Sequence, residues 1–213
     1  MDILLFGIQG SGKGTQGKEL AKHYGLKIFD MGQELRTIIE SETAIGEEVR
    51  NVIGIGNMVD DTLAMEIVEK FIKDTPKNQP IVFDGIPRNL DQLHELLKFL
   101  KAHGREAYAL EIKISKKEAT KRLTKRRMCS KCKEIYPAHY ESEVCTHCGG
   151  SLMVRQDDQS LSSIETRFKG FDRYTKPVIQ HFADINRLIE IDGEQPIEEV
   201  TKETIEKAGF LFS

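Results

Sequence analysis

Short apolar runs alternate with longer amphipathic stretches along most of the chain. Ile3 to Phe6, Lys27 to Phe29, Pro80 to Phe83, Ala107 to Ile114 and Leu188 to Asp192 are β-branched or aliphatic in character and short enough to lie inside a sheet. Between them, Leu63, Ala64, Ile67, Val68, Phe71 and Ile72 recur at helical spacing behind Asp60 and Asp61, which read as caps. A second helix carries Leu93, Leu96, Leu97 and Leu100, starting near Asn89 and stopping at Gly104. Strands separated by helices call for right-handed crossovers. The pattern predicts an α/β fold with a doubly wound, parallel, five-stranded sheet, whose ligands bind at the carboxyl ends of the strands.

Two segments break this rhythm. Residues 30–59 follow a strand with two polar-rich helical stretches and a glycine-spaced turn, Gly54-Ile55-Gly56-Asn57. Residues 122–158 hold cysteines and turn residues but little that could form a core. Both are predicted to be insertions on the ligand side of the sheet, within a single unit spanning residues 1–213.

Composition narrows the function classes. The 213 residues include 31 Lys or Arg and 34 Asp or Glu, a net charge of -3, which argues against a globally basic nucleic-acid binder and a highly charged disordered tail. With 39% hydrophobic residues and six prolines, the chain can bury a sizeable core. No apolar run reaches the length of a membrane helix, and Met1-Asp2-Ile3 lacks the basic start of a secretory leader. A cytoplasmic protein with no membrane partner is expected. The charge is nevertheless uneven. Residues 113–133 carry ten Lys or Arg against the single acid Glu118, either a solvated helix face or a field aimed at an anion.

The first strand runs straight into Gly7-Ile8-Gln9-Gly10-Ser11-Gly12-Lys13-Gly14-Thr15-Gln16. Glycines let backbone N–H groups converge on an anion, the following helix adds its positive N-terminus, and Lys13 supplies a mobile charge. This is a phosphate-binding loop of the GxxxxGK[ST] kind, except that Gly14 follows the lysine and the hydroxyl comes one place later, at Thr15. Gly10, Ser11, Gly12, Lys13, Gly14 and Thr15 are its candidate phosphate ligands.

All four cysteines lie between Cys129 and Cys148. Cys129-Ser130-Lys131-Cys132, twelve residues, then Cys145-Thr146-His147-Cys148 forms a pair of CxxC knuckles. Four thiolates at this spacing can share one tetrahedral Zn²⁺ in a structural site, with free thiols as the alternative. So small a segment would draw its folding energy from the metal.

The motif GKGTQ after an N-terminal strand resembles the nucleoside monophosphate kinases, and further motifs resemble adenylate kinases with a zinc-bearing lid. Asp84-Gly85-Ile86-Pro87-Arg88 is similar to the family's DGFPR, Arg122-Leu123-Thr124-Lys125-Arg126-Arg127 to its RLxxRR, and Arg155-Gln156-Asp157-Asp158 to its RxDD. Arg167, Thr175-Lys176-Pro177-Val178-Ile179 and Ile191-Asp192-Gly193 follow at family-like distances, so the resemblance covers essentially the whole chain.

The resemblance implies a monomeric enzyme that moves the terminal phosphate of ATP to AMP with Mg²⁺ as cofactor. Lys13, Arg88, Arg155 and Arg167 would be catalytic, with Arg122 and Arg126 on ATP beside the glycine loop. Met31, Gly32, Arg36, Met58, Val59, Gly85, Arg88, Gln92, Arg155 and Arg167 would surround AMP. The residues themselves agree: phosphoryl transfer needs bidentate cations around equatorial oxygens, and an anionic phosphate acceptor needs no general base. Asp84 ends its strand where a carboxylate near phosphate-bound Mg²⁺ belongs, although it could instead pair with Arg88. Asp157 and Asp158, among so many arginines, read as a lid-closing salt-bridge pair.

Three departures from the family stand out. Gln9 replaces a proline, Met31 replaces the threonine near the acceptor base, and one extra residue separates Asp158 from Arg167. Pro87-Arg88-Asn89 with Asp91 is also similar to UMP/CMP kinases, whereas Gln92 matches the adenylate kinase position and can donate and accept in one plane against an adenine edge. Two alternatives stay open: a kinase acting on CMP, UMP or GMP, and a nucleotide-gated RNA-binding zinc module.

Overall fold

The computed structural model describes residues 1–41, 43–54, 57–137, 140–155, 158 and 160–212. Strand β1 (Asp2–Phe6) leads through the glycine loop to α1 (Lys13–Tyr24) and β2 (Lys27–Asp30). Helices α2 (Met31–Glu40), α3 (Ala44–Gly54) and α4 (Asp61–Lys73) precede β3 (Ile81–Asp84), α5 (Leu90–Ala102) and β4 (Ala107–Lys113). After α6 (Lys116–Leu123) come three short strands, β5 (Arg127–Cys129), β6 (Ile135–Tyr136) and β7 (Leu152–Val154). Helix α7 (Leu161–Gly170), a π-helical turn (Phe171–Thr175), α8 (Lys176–Asp184), β8 (Leu188–Asp192) and α9 (Ile197–Ala208) complete the succession, with a final 3-10 turn (Gly209–Leu211).

The five predicted strands form one parallel sheet in the order β2-β3-β1-β4-β8. Its side chains sort by the period of two. Leu4, Phe6, Phe29, Ile81, Phe83, Ala107 and Ala109 enter one core, and Ile3, Leu5, Val82, Leu110 and Ile112 enter the other. Helices α4, α5 and α8 cover the first face and α1 and α9 the second, which is why the strands read as nearly continuous apolar runs. The chain leaves β1 toward β2 on one flank and leaves β3 toward β4 on the other. The loops after β1 and β3 therefore diverge at one crevice.

A buried ion pair ties the opposite end of the sheet. Arg105 Nη1 donates to Asp2 Oδ1 at 2.9 Å, and the Ile81 backbone N–H donates to the same oxygen at 2.8 Å. Arg105 also donates to the carbonyls of Pro76 and Gln79. The starts of β1, β3 and β4 are thereby held by one carboxylate and one guanidinium.

Local signals placed the helix ends well, with one correction. Asn89 caps α5 through Gln92 N at 2.8 Å, and Gly104 at φ 67° lies just past its end. Asp60 caps α4 through Thr62 N at 2.9 Å, but Asp61, expected to share that duty, is the first helical residue and sends its carboxylate to α5. Two consecutive acids cannot both sit at the one extended position that precedes the helix.

The two irregular segments carry elements of their own. Helices α2 and α3 pack on each other within residues 30–59. Of the turn at 54–57, Ile55 and Gly56 lie outside the described residues. The short strands form an antiparallel sheet in the order β6-β5-β7, whose small core is built on Cys129, Tyr136 and Cys145. Among the described residues no helix is long and apolar enough to cross a membrane.

Candidate active site

Strand β1 delivers the glycine loop to the crevice. Gly7 has φ 141°, and a Cβ there would stand 2.5 Å from the Ile112 carbonyl oxygen, so only glycine lets the loop leave β1 against β4. Gly12, at φ 99°, precedes α1 without any side-chain cap. The first N–H groups of α1 are thus left for an anion, with the helix dipole behind them. Ser11 Oγ is buried and has no hydrogen-bond partner among the described residues. Lys13 folds back over the loop, donating from Nζ to the Gly7 carbonyl at 2.7 Å.

Three arginines act on this lysine, and a fourth acts on two of the three. Burial lowers Lys13 to about 8; Asp84 opposes that shift, while Arg88, Arg167 and Arg126 add to it. Arg88 is lowered by burial and then by Arg167, and feels Arg155 as well. Burial and Arg155 bring Arg126 down to about 10 against the pull of Asp158. The charges are close enough to repel one another in a site shielded from water. Such an arrangement costs free energy until an anion enters it.

The arginines are anchored from several elements, two of them on one carboxylate. Arg88 Nε donates to the Gly85 carbonyl at 2.9 Å, while the Arg88 carbonyl accepts from Thr175 Oγ1 at 3.0 Å on the π-helical turn. Arg126 grips Asp158 with Nε and Nη2, and Arg167 Nη1 reaches the same carboxylate at 2.7 Å. The salt-bridge role expected for Asp158 is present; Asp157 lies outside the described residues. Arg122 joins Glu118 Oε1 at 2.9 Å, the Gly193 carbonyl at 2.9 Å and the Ser11 carbonyl at 3.5 Å, which sets it on the rim of the glycine loop. Arg36, on α2, donates to Gln33 Oε1 at 3.0 Å and has Asp30 at 3.7 Å.

Asp84 and Asp30 end adjacent strands in register. Burial raises the Asp84 carboxyl, Lys13 opposes this, and Asp30 adds to it. Asp84 Oδ2 is 3.5 Å from where a Cβ on Gly14 would lie, and among the described residues no ion pair joins Asp84 to Arg88. The carboxylate therefore faces the start of α1, beside the anion site, where a hydrated divalent cation would meet it.

The residues expected around an acceptor split into two groups. A Cβ on Gly32 would stand 3.1 Å from the Arg36 guanidinium and one on Gly85 3.2 Å from Met31 Cβ, while Met58 and Val59 are partly exposed and Val59 packs against the core. Met31 is 2% exposed and belongs to the core beside Gly85. Gln92 is 3% exposed, and its amide already spans Arg88 N and Asp61. Sequence reasoning missed Asp61 here because its capping position gave a sufficient local explanation.

The four cysteines converge as the knuckle spacing suggested. Their sulfurs all lie within 4.8 Å of one another, with Cys129 to Cys148 and Cys132 to Cys145 at 3.5 Å. A disulfide needs about 2.05 Å, whereas four thiolates about 2.3 Å from one zinc stand about 3.8 Å apart. The spacing fits a metal. A Cβ on Gly150 would come 2.8 Å from Cys129 Sγ, so the second knuckle must turn on glycine. Tyr136 accepts from Thr146 N at 2.9 Å and donates its hydroxyl to Cys145 Sγ at 3.1 Å. Burial works to raise the Cys145 thiol, but that hydroxyl and nearby backbone N–H groups bring it down to about 6.

This small sheet touches both sides of the crevice. Glu134 pairs with Lys18 of α1 at 2.6 Å, and Lys133 lies 3.7 Å from Glu40 of α2.

Comparison with known proteins agrees with this geometry. A family model described as "Adenylate kinase" matches residues 5–187. An adenylate kinase of Fervidobacterium nodosum is 31% identical over 95% of this chain and 94% of its own length. One from Borreliella burgdorferi is 32% identical over 96% and 97%, and one from Petrotoga mobilis is 33% identical over 95% of each. With its glycine loop, arginine cluster and sheet order, the chain belongs to the adenylate kinase family.

Proposed function

We propose that the protein transfers the terminal phosphoryl group of ATP to AMP, reversibly giving two ADP. The observation that carries this reading is that Arg88, Arg126 and Arg167 all act on the buried Lys13 at the uncapped start of α1, with Arg155 acting in turn on Arg88 and Arg126. The glycine-loop N–H groups and Lys13 hold the donor phosphates, with Arg122 and Arg126 on the donor side. Arg36 and Arg88 hold the acceptor phosphate from α2 and the β3 loop. Arg155 and Arg167 then spread their charge over the oxygens in flight, where it is most useful as negative charge redistributes. The acceptor oxygen is already anionic, so no side chain has to remove a proton.

Mg²⁺ would be held by the donor phosphates with Asp84 in its hydration shell, and it supplies charge neutralisation and orientation. Zn²⁺ on Cys129, Cys132, Cys145 and Cys148 would order residues 122–158 as a lid. The lid shields the phosphates from water, and residues 30–59 serve as the acceptor-binding insertion.

Two observations weigh against the rivals. Asn89, which suggests a pyrimidine acceptor, is occupied in capping α5 and binding Asp61. In the basic strip, Lys113, Lys116, Lys121, Arg122, Arg126 and Lys133 all stand beside acids, which favours an internally balanced surface over one awaiting RNA. The test is turnover with ATP, Mg²⁺ and a panel of AMP, CMP, UMP and GMP. AMP should give the highest kcat/KM; a different preferred acceptor would overturn the specificity, and no transfer to any of them would overturn the kinase reading.

A further inference from the structure

The Gln92 carboxamide is held between one group that can only donate and one that can only accept. Its Oε1 accepts from the Arg88 backbone N–H at 2.7 Å, and its Nε2 donates to Asp61 Oδ1 at 2.6 Å. A backbone N–H has no acceptor capacity and an ionised carboxylate has no proton to give, so the amide has one permitted orientation. Asp61 is itself fixed. Asn89 Nδ2 donates to its Oδ2 at 2.9 Å and to its Oδ1 at 3.1 Å, while Asn89 Oδ1 is committed to Gln92 N as the α5 cap. The start of α4 thus dictates the orientation of an amide on α5.

We infer that Asp61 is a specificity-determining positioning residue for the acceptor base, acting by fixing which end of the Gln92 amide donates and which accepts. The inference rests on the reading that AMP is the acceptor. With one bond at each end, the amide keeps one free N–H and one free lone pair in a single plane. Adenine offers the complementary order, an acceptor at N1 beside a donor at N6. Hypoxanthine presents a donor at N1 beside an acceptor at position 6, so it meets donor with donor and acceptor with acceptor. Without Asp61 the amide loses its obligate acceptor and can turn over at the cost of one bond to Arg88 N. The site would then serve either order.

The experiment compares kcat/KM for AMP and for inosine monophosphate in the full-length protein and its variants. The unaltered protein should prefer AMP, and failure at this step would dispose of the AMP reading before the role of Asp61 is tested. Asp61→Ala should shrink the AMP to inosine monophosphate ratio by about 5- to 150-fold, the range carried by one bidentate base contact. KM for AMP should rise while KM for ATP stays within about twofold of the unaltered protein, as expected for a change confined to one subsite. Asp61→Asn, which keeps one acceptor oxygen and the side-chain shape, should shrink the ratio in the same direction but less. In a Gln92→Ala background, Asp61→Ala should no longer change the ratio. An unchanged ratio in Asp61→Ala, or equal losses with both acceptors, would overturn the inference by showing that Asp61 only braces α4 against α5. If Asp61→Ala does not fold, an unchanged ratio in Asp61→Asn overturns it equally.

Discussion

Arg126 holds Asp158 in a two-point fork, with Nε and Nη2 at 2.8 and 3.0 Å from the two oxygens of a carboxylate that has 0% side-chain exposure. Arg167 shares that carboxylate, so one buried negative charge restrains two of the cations that would meet the phosphates. Removing it as Asp158→Ala leaves the arginines facing each other in a poorly hydrated site. Losing one partner of a buried pair costs about 3 to 5 kcal/mol, and the melting temperature of the free protein should fall accordingly. A polyphosphate restores the missing negative charge, so saturating ATP should raise the melting temperature of the variant more than that of the unaltered protein. Thermal scans with and without ATP check both expectations.

Arg88 is positioned by its own backbone. Its N–H is tied to Gln92 and its carbonyl to Thr175, leaving the guanidinium to reach from a fixed base. Arg88→Lys keeps the charge but loses the planar fork. Turnover should fall about 10²- to 10³-fold, as for loss of one positioned transition-state donor, with a smaller change in KM for ATP. Steady-state kinetics at saturating substrates decide it, and near-normal turnover would remove Arg88 from the phosphate site.

The depressed Lys13 gives a pH signature. In the free protein this ammonium loses its proton as pH rises through about 8. Bound polyphosphate stabilises the charged form and raises its pKa, so binding near pH 8 to 9 must take up protons. Affinity for ATP should hold below pH 7 and weaken as pH climbs past 8, by up to about tenfold per pH unit above it. Calorimetry at pH 8.5 in buffers of different ionisation enthalpy measures the uptake directly. Lys13→Met should abolish the proton uptake along with most of the activity.

The cysteine cluster predicts separable effects. Cys129→Ser removes a buried ligand and should lower zinc content and melting temperature while some activity remains; full zinc occupancy in that variant would defeat the site. Tyr136→Phe leaves all four ligands but removes the O–H donor from Cys145 Sγ. Zinc affinity, measured by competition with a chromogenic chelator, should fall about 10- to 100-fold, the usual weight of a hydrogen bond behind a ligand.

Most of the scaffold was legible because burial on both faces writes each strand as an uninterrupted apolar run, as in Ile3 to Phe6 and Ile81 to Phe83. The glycine loop and the CxxC knuckles were legible because their chemistry is contained in a few consecutive residues. What stayed hidden depends on distant partners. Nothing near Asp61 reveals that its carboxylate meets side chains 28 and 31 positions away. Likewise, the Glu134 to Lys18 pair spans 116 positions. The π-helical turn at Phe171–Thr175 left no mark in the hydrophobic pattern either, although it brings Thr175 to Arg88. Nor did the expected place of Met31 among the acceptor residues reveal that its side chain is buried in the core.

The Asp2 and Arg105 pair has a consequence for how freely this sequence can vary. It fixes the alignment of three central strands at the end of the sheet opposite the glycine loop, using groups outside the candidate site. Alignment set at one end does not have to be defended at the other. The loops at the carboxyl ends can therefore exchange a proline for Gln9, or a threonine for Met31, without risking strand slippage. Architecture anchored at one pole of the sheet leaves the opposite pole room to vary its chemistry.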